Sequence, residues 1–313
     1  MKKFLFPIMF LLQLFCLYSC KSTNTSAITQ DEVHVAPDVK TVFINGDSIH
    51  YIDTGKGDPV VFIHGALGDY RTWAKQIDTF ANTHRIIAYS RRFAYPNKQI
   101  INDSAKLSVI SHSRDLSEFL KLLNLRKVHL VGHSFGADIA LFTAIDHPEL
   151  VRSLVLGEPF IPSLLQNVPG GDTIVNTFIT KTFVPVIEAF KNNDNEKAAK
   201  ALVSGVMGDS LYFSRFSQQE REILMANTVE LRGIVFSHDI FSPISCDDQK
   251  KIKAPVLLLK GDKSPLVFLR MIDELNRCLE NREIATLTNT THGLEYENPV
   301  EFNKIVLGFI DKN

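Results

Sequence analysis

A serine flanked by two glycines is the residue of this chain that is best placed to do chemistry. The run Gly132-His133-Ser134-Phe135-Gly136 follows the apolar segment 128–131 and precedes the alanine-rich segment 137–145. A strand that reverses into a helix at the serine holds its hydroxyl outward, and the glycines let the two elements approach closely. The amides that follow lie at a helix N-terminus, where negative charge is stabilised. The pattern therefore predicts that Ser134 is a nucleophile.

A serine hydroxyl attacks poorly unless a base takes its proton, so a histidine must be able to reach it. His292, in the run Thr291-His292-Gly293, follows the last apolar segment and is the candidate base. A carboxylate that orients the imidazole has two candidates. Glu158 lies just past the apolar segment 150–156, and Asp262 lies just past the segment 255–259. Either carboxylate could serve, because both strand ends would face the same histidine.

The elements that position these residues alternate between apolar strands and helical patterns. Continuous apolar runs are typical of strands buried on both faces, and the alternation predicts a parallel α/β sheet with right-handed crossovers. Ligands bind at the carboxyl ends of the strands in such sheets, where the candidate residues fall. We predict about eight strands, at 39–44, 48–53, 59–63, 85–89, 128–132, 150–156, 255–259 and 283–287. Like the strands 59–63 and 150–156, the last two are predicted to be buried. The predicted core helices are 107–125, 135–147 and 299–309.

One stretch, residues 161–247, shows no clear buried strand. It carries helical patterns instead, at about 173–191, 195–207, 217–226 and 228–238. Its many phenylalanine, leucine and methionine side chains make it apolar. We therefore predict a helical lid inserted between two parts of the core, residues 39–160 and 248–313. Most of its apolar side chains should pack among themselves, and a few should face the active site.

Together these motifs resemble the α/β-hydrolase superfamily over about residues 39–313. The matching pieces are His64-Gly65, the glycine-flanked Ser134, and His292 followed by Glu297-Asn298-Pro299, in the order that the family shows. The resemblance implies the α/β-hydrolase fold, with Ser134 as nucleophile and His292 as base. It also implies that no cofactor or metal is needed.

The resemblance further implies an oxyanion hole made of two main-chain amides. One is the amide of Phe135, directly after the nucleophile, and the other is that of Ala66, with Leu67 as a weaker candidate. His64, Gly65, Leu67 and His133 are then expected beside the substrate pocket. In the family, histidines at the positions of His64 and His133 support loops rather than transfer protons.

The acid is where the sequence departs from the common family pattern. Relatives usually carry G-x-x-D after the penultimate strand, but here the aspartate position holds Ser264. Some branches, such as the haloalkane dehalogenases, place the acid after the strand that here precedes Glu158, although those enzymes use an aspartate nucleophile. We therefore favour Glu158 as the acid and keep Asp262 as the alternative.

Two arginines, Arg91 and Arg92, follow the strand segment 85–89. An arginine can bind a substrate carboxylate through two parallel hydrogen bonds. Arginines after a strand also brace loops through ion pairs, and the sequence favours this second role.

The first twenty residues predict export. Lys2 and Lys3 precede an apolar run, 4–17, that is too short to span a membrane and is typical of a signal peptide. The run ends in Leu17-Tyr18-Ser19-Cys20, which resembles a bacterial lipobox. We expect residues 1–20 to act as the signal, Cys20 to be lipidated, and 21–38 to tether the protein to a membrane surface in the cell envelope. An ordinary secreted protein or an uncleaved anchor is the alternative.

Net charge, cysteine count and the spacing of possible metal ligands exclude some classes of function. A net charge of −1 provides no basic field for nucleic acid. Cys246 and Cys278 are too few for a disulfide framework, although they could pair, and no metal-ligand spacing is present. We predict a serine hydrolase acting on a small hydrophobic ester, or less readily on an amide or carbon–carbon bond. A cofactor-free perhydrolase and a non-catalytic binding protein are the alternatives.

Overall fold

The computed structural model describes residues 38–97, 99, 101 and 107–313. The predicted signal peptide, Cys20 and the predicted tether up to residue 37 lie outside the described residues. Among the described helices, none combines the length and the apolar character that crossing a membrane requires.

The described strands form one eight-stranded sheet in the order β1-β2-β4-β3-β5-β6-β7-β8, numbered along the chain. The strands are β1 (Val39–Ile44), β2 (Asp47–Gly55), β3 (Pro59–Ile63), β4 (Arg85–Tyr89), β5 (Val128–His133), β6 (Val151–Gly157), β7 (Val256–Gly261) and β8 (Arg282–Leu287). β1 and β2 form a hairpin, β2 pairs antiparallel with β4, and all other pairs are parallel. The mostly parallel fold predicted from the sequence is therefore confirmed.

The last strand corrects one expectation. We predicted that β8 would be buried, but Arg282, Glu283 and Ile284 are exposed. β8 is the edge strand and pairs only with β7, so part of it faces solvent. The interior strands β3, β5 and β7 are almost entirely buried, as continuous apolar runs predict.

Helices cover both faces of the sheet. The helices are α1 (Ala74–Ala81), α2 (Val109–Leu122), α3 (Phe135–Asp146), α4 (Gly171–Lys191), α5 (Asn195–Met207), α6 (Gln218–Ala226), α7 (Thr228–Phe236), α8 (Cys246–Gln249), α9 (Leu266–Cys278), α10 (Leu294–Glu297) and α11 (Pro299–Ile310). Side chains alternate along β3, so that Val61 and Ile63 join one apolar cluster while Val60 and Phe62 join the other. α2 and α3 pack on the first face, and α1 and α11 pack on the second.

Helices α4 to α7 form an insertion between β6 and β7, which we call the helical insertion (residues 161–247). A buried apolar cluster joins α4, α5 and α7 to the segment around Phe213 and to Leu67 of the core. Cys246, the first residue of α8, and Cys278, the last residue of α9, form a disulfide. The pairing that the sequence left open is therefore present in the structure.

Candidate active site

The turn at Ser134 has the strained geometry of a nucleophile elbow. Ser134 has φ 52° and ψ −124°, outside the regions that non-glycine residues favour. A β-carbon on Gly136 would lie 2.1 Å from the carbonyl oxygen of Ile63, and one on Gly132 would lie 2.5 Å from the carbonyl oxygen of Gly136. Only glycine fits at these two positions, so β3, β5 and α3 can converge beneath the serine.

His292 is held by Glu158. Its Nδ1 lies 2.7 Å from Glu158 Oε2, and both side chains are buried. The other carboxylate oxygen, Oε1, accepts a 2.8 Å hydrogen bond from the backbone N–H of Gly261. Glu158 adopts a positive φ of 46°, a further strained position beside the site. Because a carboxylate can only accept here, His292 Nδ1 carries the proton and Nε2 keeps its lone pair.

The cavity beside His292 also extends to Ser134. Both residues line this cavity, and Nε2 is buried with no hydrogen-bond partner among the described residues. Burial lowers the pKa of His292, although the hydrogen bond and the charge of Glu158 oppose the shift. The imidazole is therefore neutral near pH 7 and able to accept a proton. Phe268 of α9 stacks on the ring, with the centroids 3.8 Å apart.

Asp262 lies elsewhere. Its carboxylate accepts a 3.1 Å hydrogen bond from the N–H of Thr290, and its own N–H donates to Leu287. The side chain is exposed, and these bonds hold the loop that leads from β8 toward His292. The structure thus brings Glu158, and not Asp262, to the imidazole.

A second histidine supports the first. His133 donates from Nε2 to the carbonyl oxygen of His292 at 2.7 Å, and its Nδ1 lies 3.1 Å from Glu295 Oε1. Burial works against the charged form of His133, but the attraction and hydrogen bond of Glu295 outweigh it, so the pKa of His133 is raised. With both ring nitrogens donating, His133 is an imidazolium that fixes the backbone of His292.

The loop after β3 provides the second wall of the site. Gly65, Ala66 and Leu67 line the cavity together with Phe135, whose amide is the first of α3 and has no acceptor within the helix. Leu67 adopts a positive φ of 59°. These positions are compatible with the expected pair of oxyanion-binding amides.

Arg91 braces this loop, as the sequence favoured. Its guanidinium donates to the carbonyl oxygens of His64 and Gly65, and it pairs with Glu230 of α7 at 2.9 and 2.8 Å. Both charged side chains are fully buried. The pair therefore links the loop to the helical insertion, and Arg91 is not free to bind a substrate carboxylate.

His64 lies behind the loop. It is fully buried, its Nε2 accepts a hydrogen bond from the N–H of Arg91, and its pKa is lowered by burial and then by Arg91. In the described part of the chain, the cavity lining includes Gly65, Leu67 and His133 but not His64. The expectation that His64 borders the pocket is thus corrected, because its ring is turned into the protein.

The cavity has a volume of about 120 Å³ and a mainly apolar lining. About half of its lining comes from the helical insertion: Phe178, Phe183, Leu202, Val203, Val206, Met207, Phe216, Leu224, Leu231, Ile234 and Phe241. One carboxyl group, that of Asp138 in α3, also lines it. Asp138 was not predicted from the sequence, although a lone carboxylate one turn past Ser134 in an apolar helix is a signal of such a site.

No group of three histidine, cysteine, aspartate or glutamate side chains in the described ranges is arranged to hold a metal ion. The polar groups that meet at the cavity are a hydroxyl, a neutral imidazole with a buried carboxylate, and main-chain amides at a helix N-terminus.

Comparison with known proteins agrees with this fold. Residues 58–289 match the family model described as "alpha/beta hydrolase fold", and the chain belongs to that family. Ethanol acetyltransferase 1 of Cyberlindnera jadinii is 23% identical over 279 residues, covering 81% of this chain and 80% of that protein.

A further relative and a solved structure are also similar to this chain. Non-heme chloroperoxidase CPO-A1 of Kitasatospora aureofaciens is 26% identical over 284 residues, covering 86% of this chain and 98% of its own length. The crystal structure of carboxylesterase CesB from Bacillus subtilis superposes with a TM-score of 0.71 at 18% identity, covering 90% of this chain and 93% of that one. At this identity the superposition supports the fold alone.

Proposed function

We propose that this protein is a serine hydrolase that cleaves a small, apolar carboxylic ester through an acyl-enzyme on Ser134. The observation that carries the proposal is that Ser134 shares a cavity with His292, whose Nδ1 is held by Glu158 at 2.7 Å. Glu158 is thus the proposed acid and His292 the proposed base. The family resemblance implies Ser134 and His292, and the contact with His292 favours Glu158 over Asp262 as the acid.

The proposed reaction has two halves. His292 Nε2 takes the proton of Ser134 as Oγ bonds to the ester carbonyl carbon, and the amides of Ala66 and Phe135 stabilise the oxyanion. The carbon–oxygen bond to the alcohol then breaks, and the alcohol leaves with the proton from His292. In the second half, water gives a proton to His292 and attacks the acyl-enzyme. The bond between the acyl carbon and Ser134 Oγ then breaks, Oγ takes the proton back from His292, and the acid is released.

The alternatives to hydrolysis differ in the molecule that accepts the acyl group in the second half of the reaction. Relatives named as an ethanol acetyltransferase and as a non-heme chloroperoxidase favour an alcohol or a peroxide as a second candidate acceptor. A peroxide acceptor corresponds to a cofactor-free perhydrolase. Incubation of the protein with one ester and water, ethanol or hydrogen peroxide, followed by chromatography of acid, ester and peracid, distinguishes the three.

The size of the cavity favours a short acyl group. A cavity of about 150 Å³ holds one benzene molecule, and this cavity measures about 120 Å³. We expect kcat/KM for p-nitrophenyl esters to be highest with acetyl to butyryl chains and to fall steeply toward octanoyl. An enzyme that prefers the octanoyl ester would show that the helical insertion opens as a wide lid.

Covalent labelling tests the catalytic proposal. A fluorophosphonate probe should label the protein once, on the peptide that carries Ser134, and Ser134→Ala should remove the label. His292→Gln should slow labelling, because the serine loses its base. A folded protein that the probe does not label would favour the non-catalytic binding alternative.

We also propose that the protein is exported and anchored by lipid on Cys20 at the cell envelope. The apolar run 4–17 ahead of Cys20 and the disulfide of Cys246 with Cys278 support this, because disulfides persist in oxidising compartments. In metabolic labelling, a fatty-acid analogue should be incorporated into the wild-type protein but not into the Cys20→Ala variant. Equal labelling of both would contradict the anchor.

A further inference from the structure

Asp138 is a carboxyl group inside the proposed substrate cavity, and only one of its two oxygens is engaged by the described residues. It lies on α3 one turn after Ser134, lines the cavity and is 1% exposed. Its Oδ1 accepts a 2.9 Å hydrogen bond from the N–H of Phe160. Its Oδ2 is buried and makes no hydrogen bond to any described residue.

The surroundings of Asp138 keep it uncharged. Burial raises its pKa well above the ordinary value, and the hydrogen bond from Phe160 only partly opposes the shift. No cation contributes to this shift, so the neutral acid is the form that fits the site. With Oδ1 accepting from Phe160, the proton of the neutral acid sits on Oδ2, which then acts as a donor.

Other polar side chains of the cavity are engaged in the proposed chemistry. Ser134 and His292 are the nucleophile and the base, and both ring nitrogens of His133 have partners. Asp138 Oδ2 is the remaining side-chain group of the described lining that a substrate oxygen could satisfy. A purely hydrocarbon ligand would leave this donor buried and unpaired, which is unfavourable.

We propose that Asp138 recognises a second oxygen of the substrate, so that the preferred ester carries a hydroxyl or keto oxygen near its scissile carbonyl. This deepens the proposed function and rests on it. Ser134 is the N-cap of α3 and its carbonyl oxygen accepts a 3.2 Å hydrogen bond from the N–H of Asp138, so the two residues lie about one turn apart on the lining of one cavity. An ester bonded to Ser134 therefore reaches Asp138 with an oxygen two to three carbons from the carbonyl, in its acyl or its alcohol part.

The experiment measures binding and turnover separately. Ligand-observed NMR titration of the Ser134→Ala protein gives the Kd of methyl butyrate, methyl 3-hydroxybutyrate and 2-hydroxyethyl butyrate. The second ligand places the oxygen in the acyl part and the third places it in the alcohol part. The same three esters are then assayed for hydrolysis with the protein that retains Ser134.

Two variants of Asp138 complete the comparison. Asp138→Asn keeps an acceptor for Phe160 and places an N–H donor where Oδ2 stood, whereas Asp138→Leu keeps the approximate size and removes both functions. We expect one hydroxylated ester to bind about tenfold more tightly than methyl butyrate, both with Asp138 intact and in Asp138→Asn, since one hydrogen bond is worth roughly this factor. In Asp138→Leu the preference should disappear. The ratio between esters, and not either absolute value, is the measurement.

The outcomes separate the inference from the proposed function. Equal Kd values for all three esters in the Ser134→Ala protein overturn the inference, and this measurement does not depend on whether Asp138→Leu folds. A preference that survives in folded Asp138→Leu also overturns it. Selective binding without any hydrolysis by the protein with Ser134 leaves the recognition by Asp138 standing and refutes the proposed function.

Discussion

Glu158→Gln is the substitution from which we expect the largest effect for the smallest change in shape. The backbone N–H of Gly261 donates to Glu158 Oε1, so a glutamine at this position must keep its carbonyl oxygen there. Its NH₂ group then faces His292 Nδ1, which must accept instead of donate. The imidazole proton moves to Nε2, and this nitrogen can no longer take the proton of Ser134.

The magnitude follows from that change of tautomer. The equivalent aspartate-to-asparagine change in a serine protease lowers kcat by about 10⁴. At about 1.36 kcal/mol per factor of ten, this is about 5 kcal/mol of lost transition-state stabilisation. We expect a fall of roughly 10³ to 10⁴ in kcat for p-nitrophenyl butyrate, with the urea midpoint of unfolding nearly unchanged.

Asp262→Asn is the matched control. An asparagine oxygen can still accept the N–H of Thr290, so the loop should keep its shape and kcat should change by less than about tenfold. A small effect of Glu158→Gln combined with a thousandfold effect of Asp262→Asn would refute the assignment of the acid.

Three further predictions concern the Arg91–Glu230 ion pair, His292 and Asp138. Glu230→Ala should lower the free energy of unfolding by about 3–5 kcal/mol in urea titrations, because Arg91 is left buried without its partner charge. Glu196→Ala removes the exposed partner of Lys200 and should change the free energy of unfolding little, so equal effects of the two substitutions would contradict the prediction. The kcat/KM profile should fall on the acid side with a midpoint below 6.5, since burial lowers the pKa of His292 and the base must be neutral; a midpoint above 7 would contradict it. The folded-state pKa of Asp138 is raised above 3.8, so its stabilising contribution is present below about pH 4 and is lost as pH rises toward the raised pKa. Urea titrations should therefore show wild type losing stability relative to Asp138→Asn between pH 4 and pH 8, and a constant difference would contradict a neutral acid.

The sheet could be predicted because its interior strands are continuous apolar runs with clear ends. The predicted limits of β3 and β4 agree with the structure to the residue. β8 was placed correctly but its burial was not, because an edge position depends on strand order and not on local pattern. Helix α9 was missed, and with it Phe268, which packs on His292.

The positions of Ser134 and His292 could be predicted because each lies in a short sequence motif: the glycine-flanked turn for Ser134 and the loop after the last strand for His292. The partner of Arg91 could not be predicted, since Glu230 lies 139 residues away in the helical insertion. The same holds for Glu295, whose pairing with His133 requires the fold to bring α10 to the end of β5. Packing of the insertion sets the cavity volume, and no periodicity encodes that packing.

The central claim is that an acyl group is transferred to Ser134, and trapping that intermediate tests it most directly. The protein is mixed with p-nitrophenyl butyrate, quenched in acid within milliseconds, digested and analysed by mass spectrometry. We predict one butyryl group on the peptide that carries Ser134, accumulating in step with a burst of p-nitrophenol and missing in Ser134→Ala. Turnover with an unmodified Ser134 peptide, or unchanged turnover in Ser134→Ala, would contradict the account.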